Sequence, residues 1–144
     1  MTAGDDILTE TFALPEEMRA RIIDQARREF PRECCGVISG VAGIPRRLHE
    51  TRNIADGNRF YEIDPEQLIE LEFRELPKDN SEIVAIYHSH PVSVAYPSQT
   101  DLDLAFWNRA VYLICSLEDP QNPYIRGFRI DSEARTIVEV ELTI

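Results

Sequence analysis

The feature that most constrains the fold is an apolar segment that ends in two histidines one residue apart. Residues 83–90 read as a buried strand, and its last residues are His88, Ser89 and His90. Side chains two apart in a strand point to the same side, so the two imidazoles project together. Pro91 cannot donate a ladder hydrogen bond and ends the strand. The sequence therefore predicts two imidazoles side by side at the end of a buried strand, with Val84 and Ile86 before them on the same face.

A serine and an aspartate follow the histidines at S-x-x-D spacing. Ser98 and Asp101 open a short helix, predicted over 98–107, and this spacing is typical of a helix N-cap. An aspartate oriented by such a cap can still turn a free oxygen to a metal. The loop 91–97 is long enough to bring Asp101 back to the histidines. Two imidazoles and one carboxylate are the ligands of a catalytic zinc whose fourth position is open for water.

The residues alone leave other interpretations open. The serine and aspartate also fit a cap with no further role, and the histidines also fit a surface or core pair. Cys34 and Cys35 could complete a closed, structural zinc site with His88 and His90.

Hydrolysis also needs a general base, and Glu33, which comes just before a buried strand, is a candidate. The chain has 26 acidic residues, so spacing cannot select Glu33 among them.

Hydrophobic periodicity predicts an α/β fold in one domain. The expected sheet is mixed, mainly antiparallel and flanked by helices. The domain is predicted over residues 13–144, after a flexible tail at 1–12. The other predicted elements are helices at 15–29 and from Asp64 to about Pro77, and strands at 35–39, 46–53, 110–116, 124–130 and 136–144.

Composition excludes several classes of partner. A formal net charge of −11 repels phosphate backbones and argues against nucleic acid. No apolar run approaches the ~18 residues of a membrane span. Three cysteines, two of them adjacent, make a poor disulfide framework, which favours the cytoplasm.

The combined pattern resembles the JAMM (MPN-domain) metalloproteases. The resemblance rests on Glu33, on His88-Ser89-His90-Pro91, and on Ser98-x-x-Asp101 seven residues later, and it runs from about Leu14 to the C-terminus. It implies a JAMM/MPN, cytidine-deaminase-like fold in which His88, His90 and Asp101 bind Zn²⁺. It also implies that Glu33 is the general base and then acid, and that Ser98 stabilises the oxyanion.

The resemblance further implies a substrate class. Family members cut after the C-terminal glycine of ubiquitin or ubiquitin-like proteins. Residues 95–98 and 61–65 are similar to those of small prokaryotic members that process sulfur carriers with a Gly-Gly tail, in one case releasing cysteine. Phe60, Tyr61 and Asn53 are candidates for the tail groove, although core or turn roles fit them equally. The alternatives are a phage-tail or cell-wall-type peptidase and a non-catalytic module that binds ubiquitin-like tails. The oligomeric state, monomer or homodimer, stays open.

Overall fold

A computed structural model describes residues 10–144 of the chain. These residues form one seven-stranded sheet in the order β1-β7-β6-β5-β4-β2-β3. The strands are β1 (Thr11–Ala13), β2 (Cys35–Val41), β3 (Ile44–Thr51), β4 (Glu82–His90), β5 (Val111–Ser116), β6 (Tyr124–Asp131) and β7 (Thr136–Thr143). The helices are α1 (Glu16–Glu29), α2 (Pro65–Glu70) and α3 (Gln99–Asp103).

The sheet is mixed and mainly antiparallel, as the sequence predicts. Strand β4 pairs parallel with β5, and β1 pairs parallel with β7. The other neighbouring strands pair antiparallel. The predicted fold class, a single α/β domain with helices beside a mixed sheet, is confirmed.

Each face of the sheet has its own apolar cluster. Helix α1 covers one face, and its Met18, Ile22 and Ala26 are buried there at the four-residue spacing of an amphipathic helix. The opposite face packs against the segment from α2 to the start of β4 and against α3. Ile86 and Ile114 lie in this second cluster, which therefore forms the floor beneath the histidine pair.

An irregularity in β4 changes one predicted neighbour of the histidines. The register between β2 and β4 shifts so that Ile38 pairs with Ala85 and Ser39 pairs with Ile83. Val84 is the additional residue of this bulge, and it packs in the α1 cluster together with Ala85. The expectation that Val84 shares a face with His88 is therefore wrong, whereas Ile86 does lie on the histidine side.

Several boundaries differ from the sequence prediction: β2 ends at Val41 rather than at residue 39, and β3 spans Ile44–Thr51 rather than 46–53. Thr11 and Phe12 belong to β1, so a tail at 1–12 is wrong for these two residues, and residues 1–9 of that predicted tail lie outside the described part. Helix α3 ends at Asp103 rather than Trp107. Beyond it, the Phe106 N–H donates to the Leu104 carbonyl at 3.0 Å and the Trp107 N–H donates to the Tyr112 hydroxyl at 2.9 Å, not to carbonyls one turn back. Helix α2 continues as a π-helical turn (Leu71–Glu75) and a 3₁₀ turn (Leu76–Asp79).

Within residues 10–144, none of the helices has the length and apolar character that a membrane crossing requires.

Candidate metal centre

The two histidines lie side by side at the carboxyl end of β4. His88 is 1% exposed and His90 is 4% exposed. His88 stands between Cys35 on β2 and Ile114 on β5 in the strand register. Their imidazole rings meet edge to face with centroids 5.0 Å apart. The predicted common projection of the pair is therefore what the structure shows.

Asp101 reaches the histidines from the first turn of α3. Ser98 caps this helix: the Asp101 N–H donates to Ser98 Oγ at 3.0 Å, and the Ser98 N–H donates to Asp101 Oδ2 at 2.9 Å. The same Oδ2 lies 3.1 Å from His88 Nε2 and 3.0 Å from His90 Nε2. The carboxylate thus completes a capping box and faces both imidazoles at once.

These three ligand atoms fit a tetrahedral metal ion. The two Nε2 atoms are 3.1 Å apart, so the three atoms form a nearly equilateral triangle with Asp101 Oδ2. Ligands at ~2.0–2.1 Å from a tetrahedral zinc lie roughly 3.3 Å from one another. The triangle needs an expansion of only a few tenths of an ångström to hold the ion. His88, His90 and Asp101 are the metal-ligand cluster found among the described residues.

Neighbouring groups fix the orientation of both rings. His90 Nδ1 lies 2.8 Å from the Val94 carbonyl oxygen, to which it donates when it carries a proton, and this leaves Nε2 free to bind a metal. The Tyr61 ring stacks on His88 with centroids 4.4 Å apart and an interplanar angle of 20°. His88 Nδ1 is buried and has no hydrogen-bond partner among residues 10–144.

Charge within the cluster favours an ionised aspartate. Burial opposes ionisation of Asp101, but His88 and His90 outweigh it and hold the pKa of that carboxyl well below its usual range. Burial also lowers the pKa of His90, but hydrogen bonds to Asp101 and Val94 prevail and raise the pKa above its ordinary value. A metal bound by these residues would have to displace the proton that these contacts favour, so acid would oppose its binding.

Strand register explains how Glu33 comes to the same place. Cys35 pairs with His88, and the Ser89 N–H donates to the Cys34 carbonyl at 3.1 Å. Glu33 lies two residues before the start of β2, and its carboxyl interacts electrostatically with His88, His90 and Asp101, so it is near the ligand cluster. Its side chain is buried, and Oε1 has no hydrogen-bond partner among residues 10–144. Burial raises the pKa of Glu33, and the charges of the two histidines act against that rise.

The cysteines take no part in the cluster. Cys34 packs in the α1 cluster on the opposite face of the sheet. Cys35 Sγ lies 3.3 Å from Thr51 Oγ1 and is not among the convergent ligand atoms. The alternative of a closed site built from Cys34, Cys35 and the two histidines is wrong.

Comparison with known proteins agrees with this geometry. The family model described as prokaryotic homologs of the JAB domain matches residues 15–131. The chain belongs to this family. The JAMM (MPN-domain) resemblance inferred from the sequence is thereby confirmed.

Several characterised or solved proteins are similar to this JAB-family chain. The CysO-cysteine peptidase of Mycobacterium tuberculosis is 35% identical over 117 residues, which is 80% of each chain. The desampylase of Haloferax volcanii is 36% identical over 111 residues, covering 72% of this chain and 79% of that protein. The solution structure of DSY2949 from Desulfitobacterium hafniense has a TM-score of 0.75 and 29% identity, covering 92% of this chain and 90% of that one. AF2198 of Archaeoglobus fulgidus, a JAB1/MPN domain protein, shares the fold at a TM-score of 0.59 and 16% identity, with 94% of this chain and 99% of that one covered.

The residues considered for a substrate groove separate into two groups. Phe60 and Tyr61 line an apolar cleft of about 390 Å³ that also includes Ile86 and Trp107. Asn53 does not line this cleft; it is only 7% exposed, and its side chain bonds to backbone groups. Since a buried asparagine with several backbone partners has no pattern signature, its role could not be read from the sequence.

Proposed function

We propose that the chain is a zinc-dependent peptidase that cuts after the C-terminal glycine of a ubiquitin-like or sulfur-carrier protein. As a member of the JAB family with relatives named as peptidases, the chain is a hydrolase. The observation that carries the proposal is the cluster of side chains at the carboxyl end of β4. Three convergent ligand atoms belong to His88, His90 and Asp101, and an unpartnered carboxylate oxygen belongs to the neighbouring Glu33.

The roles of the protein groups follow from their environments. His88, His90 and Asp101 would hold a zinc ion, which would supply an activated water near neutral pH and polarise the scissile carbonyl. Glu33 accepts the proton of the attacking water and delivers it to the leaving amine. The raised pKa of Glu33 suits this exchange, because a base whose pKa lies closer to the working pH also gives its proton back.

Ser98 is placed to stabilise the charge that develops on the carbonyl oxygen. Its Oγ accepts from the Asp101 N–H, so its hydroxyl hydrogen remains available for donation. Ser98 is exposed, whereas Asp101 beneath it is buried. A hydroxyl donor beside the ligand cluster can therefore meet a substrate carbonyl without disturbing the helix cap.

The substrate class is proposed from the names of the similar proteins. The cysteine peptidase and the desampylase both carry names that refer to small protein modifiers or their conjugates. We propose the same class here, a carrier with a Gly-Gly tail whose leaving group is cysteine, a lysine or a peptide. We place the protein in the cytoplasm, since its three cysteines are buried free thiols.

The test is to incubate the zinc-loaded protein with candidate carriers that bear C-terminal extensions and to read the products by mass spectrometry. The proposal expects release of the extension after the terminal glycine, with loss of activity on chelation and recovery on added zinc. Carriers ending in Gly-Ala before the extension serve as matched substrates, and we expect slower cleavage of them.

Two results would replace the proposal. A metal-free protein that binds carriers without cutting them would be a binding module. Cleavage of cell-wall peptides and not of carriers would assign the chain to the phage-tail or cell-wall-type peptidases.

A further inference from the structure

We propose that Asn53 is a positioning residue that holds two walls of the metal centre in place, the Glu33 segment and the Tyr61 ring. The inference that this matters for catalysis rests on the proposed function. The placement itself rests on the contacts of one buried amide, which follow.

The Asn53 side chain uses all of its hydrogen-bonding capacity on backbone groups. Its Nδ2 donates to the Glu33 carbonyl at 2.9 Å and to the Phe60 carbonyl at 3.3 Å. Its Oδ1 accepts from the N–H groups of Ala55 at 2.9 Å and Glu62 at 3.0 Å. Two donors and two acceptor lone pairs are the full inventory of an asparagine amide. One side chain therefore joins the α1–β2 connection to the loop between β3 and α2.

On the Glu33 side, the neighbouring Cys34 is tied to β4, since its N–H donates to Ser89 Oγ at 2.8 Å, and Asn53 binds the Glu33 carbonyl itself. Glu33 lies between α1 and β2, outside the regular ladder, and its Oε1 has no partner within residues 10–144. The location of the carboxylate therefore follows from where its own backbone is held. Asn53 binds the carbonyl of that residue, and the Arg32 guanidinium donates to the backbone carbonyls of Asn53 and Ala55. These bonds cross between the same two segments and hold them together.

On the other side of the contact, the Asn53 amide holds the loop that carries Tyr61. The amide binds the residues on either side of Tyr61, namely the carbonyl of Phe60 and the N–H of Glu62. Fixing both neighbours fixes the direction in which the Tyr61 ring leaves the loop. That ring stacks on His88 at 4.4 Å. Asn53, together with Arg32, thus links the segment of the proposed base to the loop whose Tyr61 ring stacks on His88.

The experiment begins with the metal-free protein, so that it does not depend on the substrate. Asn53→Asp keeps the shape but turns two donors into acceptors that face carbonyl oxygens, and Asn53→Ser is a smaller, neutral second variant. We expect faster hydrogen exchange at Ala55 and Glu62 in Asn53→Ser, which lacks the amide oxygen that accepts from both N–H groups. We expect it also in Asn53→Asp, because repulsion from the Glu33 and Phe60 carbonyls displaces the carboxylate from its position. We also expect the His88 ring-proton resonances to move toward those of Tyr61→Leu, since release of the Tyr61 loop weakens the stacking that Tyr61→Leu removes. Asn122→Asp, which alters an exposed amide that bonds to Asp119, is the matched control.

Activity then separates positioning from stability. With zinc content near that of wild type, we expect a kcat about 10²-fold lower for Asn53→Asp, since displacement by about 1 Å can cost that much. In a Glu33→Gln background the same change should lower the residual kcat by less than about threefold, because the group it positions is already gone.

Three outcomes decide the matter. Unchanged exchange and unchanged His88 resonances in both Asn53 variants would overturn the proposal. An equal loss of kcat in both backgrounds would overturn it too, by showing a purely structural role. If wild type cleaves no carrier, the proposed function fails, and the metal-free measurements still decide whether Asn53 holds the two segments.

Discussion

Replacing Glu33 by glutamine should separate catalysis from folding and metal binding. Glutamine has nearly the same shape and cannot take a proton from water. Loss of a general base typically costs 10²–10⁴-fold in rate, which is about 2.7–5.5 kcal/mol in the activation barrier. The three ligand atoms belong to other residues, so we expect zinc content to stay near one per chain. KM should change little, since the side chain is buried beneath the substrate site.

The same substitution should not destabilise the metal-free fold at neutral pH. Burial raises the pKa of Glu33 above its unfolded value. The contribution of this carboxyl to stability is therefore largest below the unfolded pKa and is lost as pH rises through the folded pKa. Glutamine carries no charge and escapes this loss. Glu33→Gln should thus match wild type at low pH and equal or exceed its free energy of unfolding at neutral pH.

The assay combines single-turnover cleavage of a carrier, zinc analysis and urea unfolding of the metal-free proteins at two pH values. Glu133→Gln, a change at an exposed turn residue, is the control and should behave as wild type in all three. Cleavage by Glu33→Gln at the wild-type rate would refute the assignment of the base. A variant less stable than wild type at neutral pH would refute the view that burial of this charge opposes folding.

Two further predictions concern the ligand triangle and the packing behind it. Asp101→Asn should weaken zinc affinity by at least about 100-fold, because a charged ligand facing both histidines is lost. Asp103→Asn, on the exposed side of α3, is the control and should retain zinc. Equal zinc content in the two variants, measured by elemental mass spectrometry, would contradict the proposed site. Gly36→Ala should lower the free energy of unfolding by about 1–3 kcal/mol through overpacking, since its Cβ would come within 2.1 Å of the buried Tyr87 hydroxyl, and a urea midpoint unchanged from wild type would contradict this.

The sequence predicts those parts of the molecule that repeat over many residues or follow strict local chemistry. Helix α1 and strands β4 and β5 have long apolar patterns, and the structure has them within one or two residues of the predicted bounds. Strand β1 has only three residues and pairs with the last strand of the chain, so no local pattern could indicate it. The chain beyond α3 also departs from the predicted helix, since the Trp107 N–H bonds to a side chain of the next strand, the Tyr112 hydroxyl.

The candidate site shows the same division between local and distant causes. His88 and His90 come together because of strand periodicity, which is visible in the sequence. Glu33 comes to them through the pairing of Cys35 with His88, and pairing register is not visible from one sequence. For this reason, Glu33 could be selected as the general base only from the family resemblance and not from its spacing in the sequence. Asn53 follows from neither source, because its four contacts belong to two loops that only the fold brings together.

The position of Asp101 reconciles the two interpretations of the S-x-x-D motif. Strands β4 and β5 are parallel, so the chain must leave the carboxyl end of β4, where the histidines stand, and cross over to the start of β5. Helix α3 lies in this crossover and begins near that same edge, which is where ligand sites of α/β sheets usually lie. In the capping box, Asp101 Oδ2 accepts from the Ser98 N–H, and the same oxygen atom faces the two imidazoles. The cap and the proposed third metal ligand are therefore one arrangement, since the hydrogen bond that starts the helix also aims the Asp101 carboxylate.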